Sequence, residues 1–159
     1  MLAHKAVRQG KIAAEVIAGK DSRFAPVSIP SVAYTRPEIA WTGITEEEAV
    51  RSGIDFEKGS FPWGASGRAL SSGSPLGVSK ALFDKKNGRL IGAGICGLNA
   101  GELIAEAVLA LEAGLTAADI GRTIHPHPTL SETFAFAAEI AEGTATDILQ
   151  DTEETGRSG

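Results

Sequence analysis

The sequence predicts an α+β fold, a mainly antiparallel sheet with flanking helices. Three observations carry that expectation. Residues 78–83 and 89–96 are strand-like runs flanking Asp84-Lys85-Lys86-Asn87-Gly88, and Asn-Gly favours the turn of an antiparallel hairpin. Helical spacing follows Asn99, with Ile104, Val108 and Leu111 on one side and Gly114 as the stop, and recurs at Leu130, Phe134, Ala137 and Ala141. Strand-like stretches with intervening helices, together with one hairpin, describe an α+β domain on a mainly antiparallel sheet.

In chain order, residues 2–18 read as a helix in which Ala3, Val7, Gly10, Ala14 and Ile17 form one stripe of small side chains, capped by Gly19. Residues 24–30 form a connector with two prolines. This start reads either as the end of a preceding domain or as a domain that opens with a helix. Residues 32–34 and 39–41 are short extended stretches around Arg36-Pro37, where proline excludes a regular central strand. Thr45 and Glu48 have capping-box spacing for a short helix that stops at Gly53. Residues 56–61 are strand-like, and 62–77 read as a long Ser- and Gly-rich loop. In the second hairpin strand neither face is polar, so it is expected to be central and covered on both sides. Asn99 is expected to cap the next helix, and Thr116 and Asp119 repeat the capping spacing before a shorter one. A last helix is expected over 130–142, with a polar, disordered tail after it.

A chain of 159 residues, 43% hydrophobic and 22% charged, is sized and composed for one core. Its net charge of -5, with Lys and Arg scattered, argues against a nucleic-acid partner. No apolar run is long enough to span a bilayer; the most apolar, 103–115, is interrupted by Glu106 and Glu112. The N-terminus lacks a signal-peptide layout. Cys96 is the single cysteine, so no intrachain disulfide forms, and the chain alone cannot perform dithiol–disulfide chemistry. Set mid-strand among apolar neighbours, Cys96 reads as a buried small hydrophobe.

Complete dinucleotide or Walker motifs are absent, and Gly92-Ala93-Gly94 reads as a close-packing device within a strand. The segment His125-Pro126-His127-Pro128-Thr129-Leu130-Ser131-Glu132 carries the chemistry. Each proline holds the preceding histidine in extended geometry, outside regular helix. Glu132 has two readings. It stands three residues after Thr129, as a helix cap requires, and it is also placed to accept the ring N–H of His127. The second arrangement fixes the tautomer and leaves the other ring nitrogen to exchange a proton. A metal site at His125-x-His127 lacks a third ligand with recognisable spacing, so no metal is expected.

Five stretches together carry a family resemblance: Met1-Leu2-Ala3-His4-Lys5-Ala6, residues 29–38 (IPSVAYTRPE), 61–69 (FPWGASGRA), 95–103, and above all 125–132. Over residues 1 to about 149 the sequence resembles the C-terminal part of the dihydrolipoamide dehydrogenases, flavoproteins of the pyridine nucleotide–disulfide oxidoreductase group. Glutathione reductases end similarly but typically read His-Pro-Thr-Ser-Ser-Glu, whereas Leu130 favours the lipoamide enzymes. The resemblance implies an oxidoreductase that passes electrons from dihydrolipoamide through a redox disulfide and FAD to NAD. It implies that His127 accepts the thiol proton, that Glu132 orients His127, and that the His127–Pro128 bond is cis. Met1, Leu2, Ala3 and His4 match the segment lying along the flavin. Residues 1–29 would be the end of the FAD-binding domain, 30–149 the dimerisation domain and 150–159 a disordered tail. The implied partners are a second copy, in a homodimer whose histidine reaches the other subunit's disulfide, and the lipoyl domains of 2-oxoacid dehydrogenase complexes. The implied setting is bacterial cytoplasm or, in a eukaryote, the mitochondrial matrix. The disulfide motif and dinucleotide-binding domains are not in this chain, which therefore reads as part of a longer protein, inactive and retaining no cofactor alone. Another flavin disulfide reductase, or a purely structural dimerisation module, are the alternatives.

Overall fold

The computed structural model describes residues 2–148. Five strands, β1 (Ser31–Ala33), β2 (Glu38–Gly43), β3 (Phe56–Pro62), β4 (Val78–Asp84) and β5 (Leu90–Gly97), form one sheet in the order β1-β2-β5-β4-β3. Every pairing is antiparallel, so the fold class is the expected one. The β4–β5 hairpin turns at Asn87-Gly88, where Asn87 Oδ1 accepts from the Arg89 amide at 2.9 Å and Gly88 takes a left-handed φ of 69°.

One face of the sheet is sealed. Helix α4 (Ala100–Ala113) packs on β2 and β5, and α6 (Glu132–Glu142) packs on β3 and β4. Between them Phe61, Phe83, Ile95, Ile104, Leu111, Leu130 and Phe134 make the buried core. The close seating of α6 depends on Gly59. A Cβ there would run into the Ala137 carbonyl oxygen and stand 2.9 Å from the Ala141 amide nitrogen. The other face is open around Ile39 and Trp41, 45% and 40% exposed, because both large helices lie on the same side. Helix α2 (Glu46–Arg51) reaches only its edge, where Glu46 accepts from Lys58 at 2.8 Å and Lys80 at 2.9 Å. Central β5 is therefore fully covered on one face only, and Cys96 is half-buried beside that apolar hollow rather than sealed in the core. Gly92 packs closely, since a Cβ would meet the Ile44 carbonyl oxygen; Gly94 has nothing nearer than 4.0 Å.

The expected 62–77 loop is instead a 3-10 turn (Trp63–Ala65) followed by helix α3 (Gly67–Ser71), with the Ser66 hydroxyl accepting from the Ala69 amide at 3.3 Å. The anchor is Trp63, fully buried. Its indole N–H donates to Ser79 Oγ at 3.0 Å, Ser79 bonds Thr133 Oγ1 at 2.7 Å, and Thr133 donates to the Leu130 carbonyl at 2.6 Å. This buried chain ties the loop, the sheet and the start of α6 together. It leaves no unpaired polar atom among its members.

The capping boxes at Thr45–Glu48 and Thr116–Asp119 both form, opening α2 and α5 (Ala117–Arg122). The cap expected from Asn99 does not. Asn99 adopts a left-handed backbone (φ 58°) and its side chain makes no cap hydrogen bond; Glu38 of β2 accepts from the Gly101 amide at 3.0 Å in its place. Helix α1 (Ala3–Ile17) forms, but its small-residue stripe is not an inward face. Val7 and Ile17 are 60% and 87% exposed, and Ile12, off that stripe, is the residue α1 buries. No described helix is long and apolar enough to cross a membrane.

Candidate active site

Residues 123–131 connect α5 to α6, and the sequence keeps them out of helix. Proline disfavours helical geometry in the residue before it, here His125 and His127, and the His127–Pro128 bond is cis, as is Arg36–Pro37. Local hydrogen bonds close the loop on itself. Thr129 Oγ1 donates to the Pro126 carbonyl at 2.7 Å and pairs with Ser131 Oγ at 2.9 Å. Helix α6 begins at Glu132, two residues after the expected start, while Leu130 still anchors into the core.

Glu132 makes the expected contact with His127 and also bonds Thr129, but as the first residue of α6, preceded by Ser131 with no side-chain cap, it does not complete the expected capping box. Its Oε2 accepts from the Thr129 amide at 2.6 Å, which is half of a capping box. Its Oε1 lies 2.8 Å from His127 Nδ1, and a carboxylate opposite that nitrogen assigns the hydrogen to Nδ1. The two ends of the pair differ in exposure: the Glu132 side chain is 13% exposed and the imidazole 79%. The carboxylate is thus a fixed footing, and the ring stands outward. Nε2 of His127 has no partner among the described residues and, in the neutral ring, presents its lone pair to whatever lies outside.

A second histidine–carboxylate pair lies underneath. His125 Nε2 is 2.6 Å from Glu106 Oε1 on α4, and its Nδ1 is 2.8 Å from the Thr123 carbonyl. Sequence reasoning missed Glu106 as a site residue and treated it as an interruption of an apolar run. That interruption was the available signal, since a carboxylate on the packed side of a helix needs a partner. Both nitrogens of His125 lie against oxygens, and the exposed His127 ring has its Nδ1 against Glu132. Burial of the His125 ring disfavours its charge, but hydrogen bonds to Glu106 and Thr123, with the charges of Glu106 and Glu132, raise its pKa above 6.5 overall.

Of the four residues expected along a flavin, Met1 lies outside the described residues. Leu2, Ala3 and His4 open α1 and are exposed, and His4 Nε2 bonds the Pro30 carbonyl at 2.9 Å. They stand apart from the His127 loop in the chain. The expected disordered tail likewise lies outside the described residues.

The family model of the pyridine nucleotide-disulphide oxidoreductase dimerisation domain matches residues 29–138. The chain belongs to that family. It is 55% identical over 149 residues to the dihydrolipoyl dehydrogenase of Buchnera aphidicola subsp. Acyrthosiphon pisum, covering 94% of this chain and 32% of the relative. Identity to the Vibrio cholerae protein is 55% over 148 residues, covering 93% and 31%. Among solved structures, LpdA of Mycobacterium tuberculosis superposes with a TM-score of 0.80 at 26% identity, over 87% of this chain and 30% of that one. The HOCl-induced flavoprotein disulfide reductase RclA of Escherichia coli gives 0.74 at 26%, over 83% and 30%. The chain spans about a third of the length of the curated relatives it matches.

Proposed function

We propose that the chain is the dimerisation domain of a dihydrolipoyl dehydrogenase and that it delivers His127 as proton acceptor to the other subunit of a homodimer. The observation that carries this is the His127–Glu132 pair, 2.8 Å apart, with the carboxylate buried and the imidazole exposed. A base serving its own domain would face a pocket of that domain; this one faces outward. Identity of 55% to dihydrolipoyl dehydrogenases supports the lipoamide reading over that of other disulfide reductases, whose structures match at 26%.

In the proposed reaction, Nε2 of His127 takes the proton of a dihydrolipoamide thiol, and the thiolate sulfur attacks the partner subunit's disulfide. One sulfur–sulfur bond forms as another breaks, and a cysteine thiolate leaves. Glu132 keeps Nδ1–H in place throughout, so that the imidazolium formed is hydrogen-bonded and paired. Flavin, when bound, supplies the acceptor for the electron pair that the dithiol surrenders, with NAD as final acceptor. Leu2, Ala3 and His4, with Met1, are the residues we assign to the flavin's edge. Leu2 precedes α1 without a side-chain cap and the first turn has no acidic residue, so backbone N–H groups there are available to an acceptor atom. We further propose residues 1–29 as the end of the flavin domain, 30–149 as the dimerisation domain, lipoyl domains of 2-oxoacid dehydrogenase complexes as partners, and bacterial cytoplasm as the setting.

The test is His127→Ala in the whole enzyme carrying this domain. Turnover of dihydrolipoamide should fall about 10²-fold or more with the dimer intact by sedimentation. Unchanged turnover would leave a purely structural domain.

A further inference from the structure

We propose that His125, clamped as a cation between Glu106 and the Thr123 carbonyl, is a positioning residue that fixes the His127–Glu132 pair. The inference rests on the reading of His127 as the base.

The geometry demands the charge. A neutral imidazole has one N–H and one lone pair. Here both nitrogens face acceptors, Glu106 Oε1 at 2.6 Å and the Thr123 carbonyl at 2.8 Å. A neutral ring would set a lone pair against one of these oxygens, with the side chain only 9% exposed and little water to relieve it. With both nitrogens protonated, each bond is made. The groups facing the ring are carboxylates from two helices: Glu106 on α4, and Glu132 and Glu139 on α6. Glu139, whose carboxyl is pushed up by burial and by the Asp147 and Glu142 charges, is itself drawn down by His125.

The position of the clamp gives it a task. The 123–131 loop is otherwise closed by bonds within itself and to α5 and α6, through Thr123 to the Asp119 carbonyl and Thr129 to Glu132. His125 is the side chain that pins it to α4, which is seated on the sheet by Ile104, Ala107 and Leu111. From His125 it is one proline to His127. The same cation lies within electrostatic reach of Glu132, the carboxylate that receives the His127 Nδ1–H. Release of the clamp would free the loop from α4 and let His127 lose its fixed tautomer. Misplacement of about 1 Å at a reacting group is enough to cost much of a rate.

Imidazole nitrogen NMR on the 159-residue chain tests the charge without any substitution. His125 should remain doubly protonated at about pH 7, and a neutral His125 ring there overturns the proposal. Two variants, His125→Gln and Glu106→Gln, test the positioning. In each, neutral His127 should lose its preference for hydrogen on Nδ1, and turnover of the whole enzyme should fall roughly tenfold at little-changed KM for dihydrolipoamide. Folded variants with wild-type kcat and an unaltered His127 tautomer overturn it. His127→Ala separates the two claims. If that variant keeps its turnover, the base assignment falls; if it loses turnover while His125→Gln does not, the positioning role alone falls.

Discussion

Gly59→Ala places a methyl group where β3 meets α6. The new carbon would overlap the Ala137 carbonyl oxygen, lie 2.7 Å from the Ala137 carbonyl carbon and stand 2.9 Å from the Ala141 amide nitrogen. All three are backbone atoms within one helix, so no side chain can swing aside, and α6 as a whole must lift. Overpacking of a closely fitted core costs about 1–3 kcal/mol, and the rigid obstacle puts this case near 3 kcal/mol. For a chain of this size each kcal/mol lowers Tm by about 2–4 °C, which gives a fall of about 6–12 °C. Gly10→Ala is the matched control. It lies inside α1 with nothing within 4 Å of a Cβ, so the helix should gain about 0.5–1 kcal/mol. Thermal unfolding followed by circular dichroism reads both. If Gly59→Ala melts with the wild type, α6 is not seated on β3 as described, and the footing assigned to Glu132 goes with it.

Ser79→Ala should cost about 1–3 kcal/mol in urea unfolding, because the buried Trp63 indole N–H loses its acceptor and Thr133 its neighbour. Glu38→Ala should destabilise by about 1 kcal/mol by the same assay, since it uncaps Gly101 at the start of α4, whereas Asn99→Ala should not remove a cap. His125 gives a pH dependence. Its folded-state pKa is raised, so its contribution is fully present below the unfolded value near 6.5 and is lost as pH rises through the folded one. The gap in urea midpoint between wild type and Glu106→Gln should therefore narrow as pH is raised above about 6.5, and a gap that widens would contradict the pairing.

What could be read from the sequence was whatever is coded by local chemistry. The Asn87-Gly88 turn, the boxes at Thr45 and Thr116, and the apolar spacing of Ile104 and Leu111 are each specified within a few residues. Two of the failures share a cause: a partner distant in sequence took over. Asn99 has the right residue type for a cap, but Glu38, 63 residues from the Gly101 amide it accepts from, does the capping. Trp63 organises a stretch whose Ser and Gly content signals a loop, because Ser79 receives its N–H and is itself bonded to Thr133. The α1 stripe has helical period without an inward face, since periodicity reports which residues share a side and not what covers it. The site divides the same way. His127 and Glu132 are five residues apart and legible as a pair, whereas the His125 partner is 19 residues away on α4.

The outward-facing imidazole is the centre of the account, and mixed dimers test it most directly. One subunit carries His127→Ala with its disulfide intact; the other keeps His127 but lacks the disulfide cysteines. Each parent is inactive. If His127 serves the opposite subunit, random pairing leaves one working site in half of the dimers, and activity should return to about a quarter of the wild-type value. No recovery, in dimers shown to have mixed, would contradict delivery of His127 across the interface.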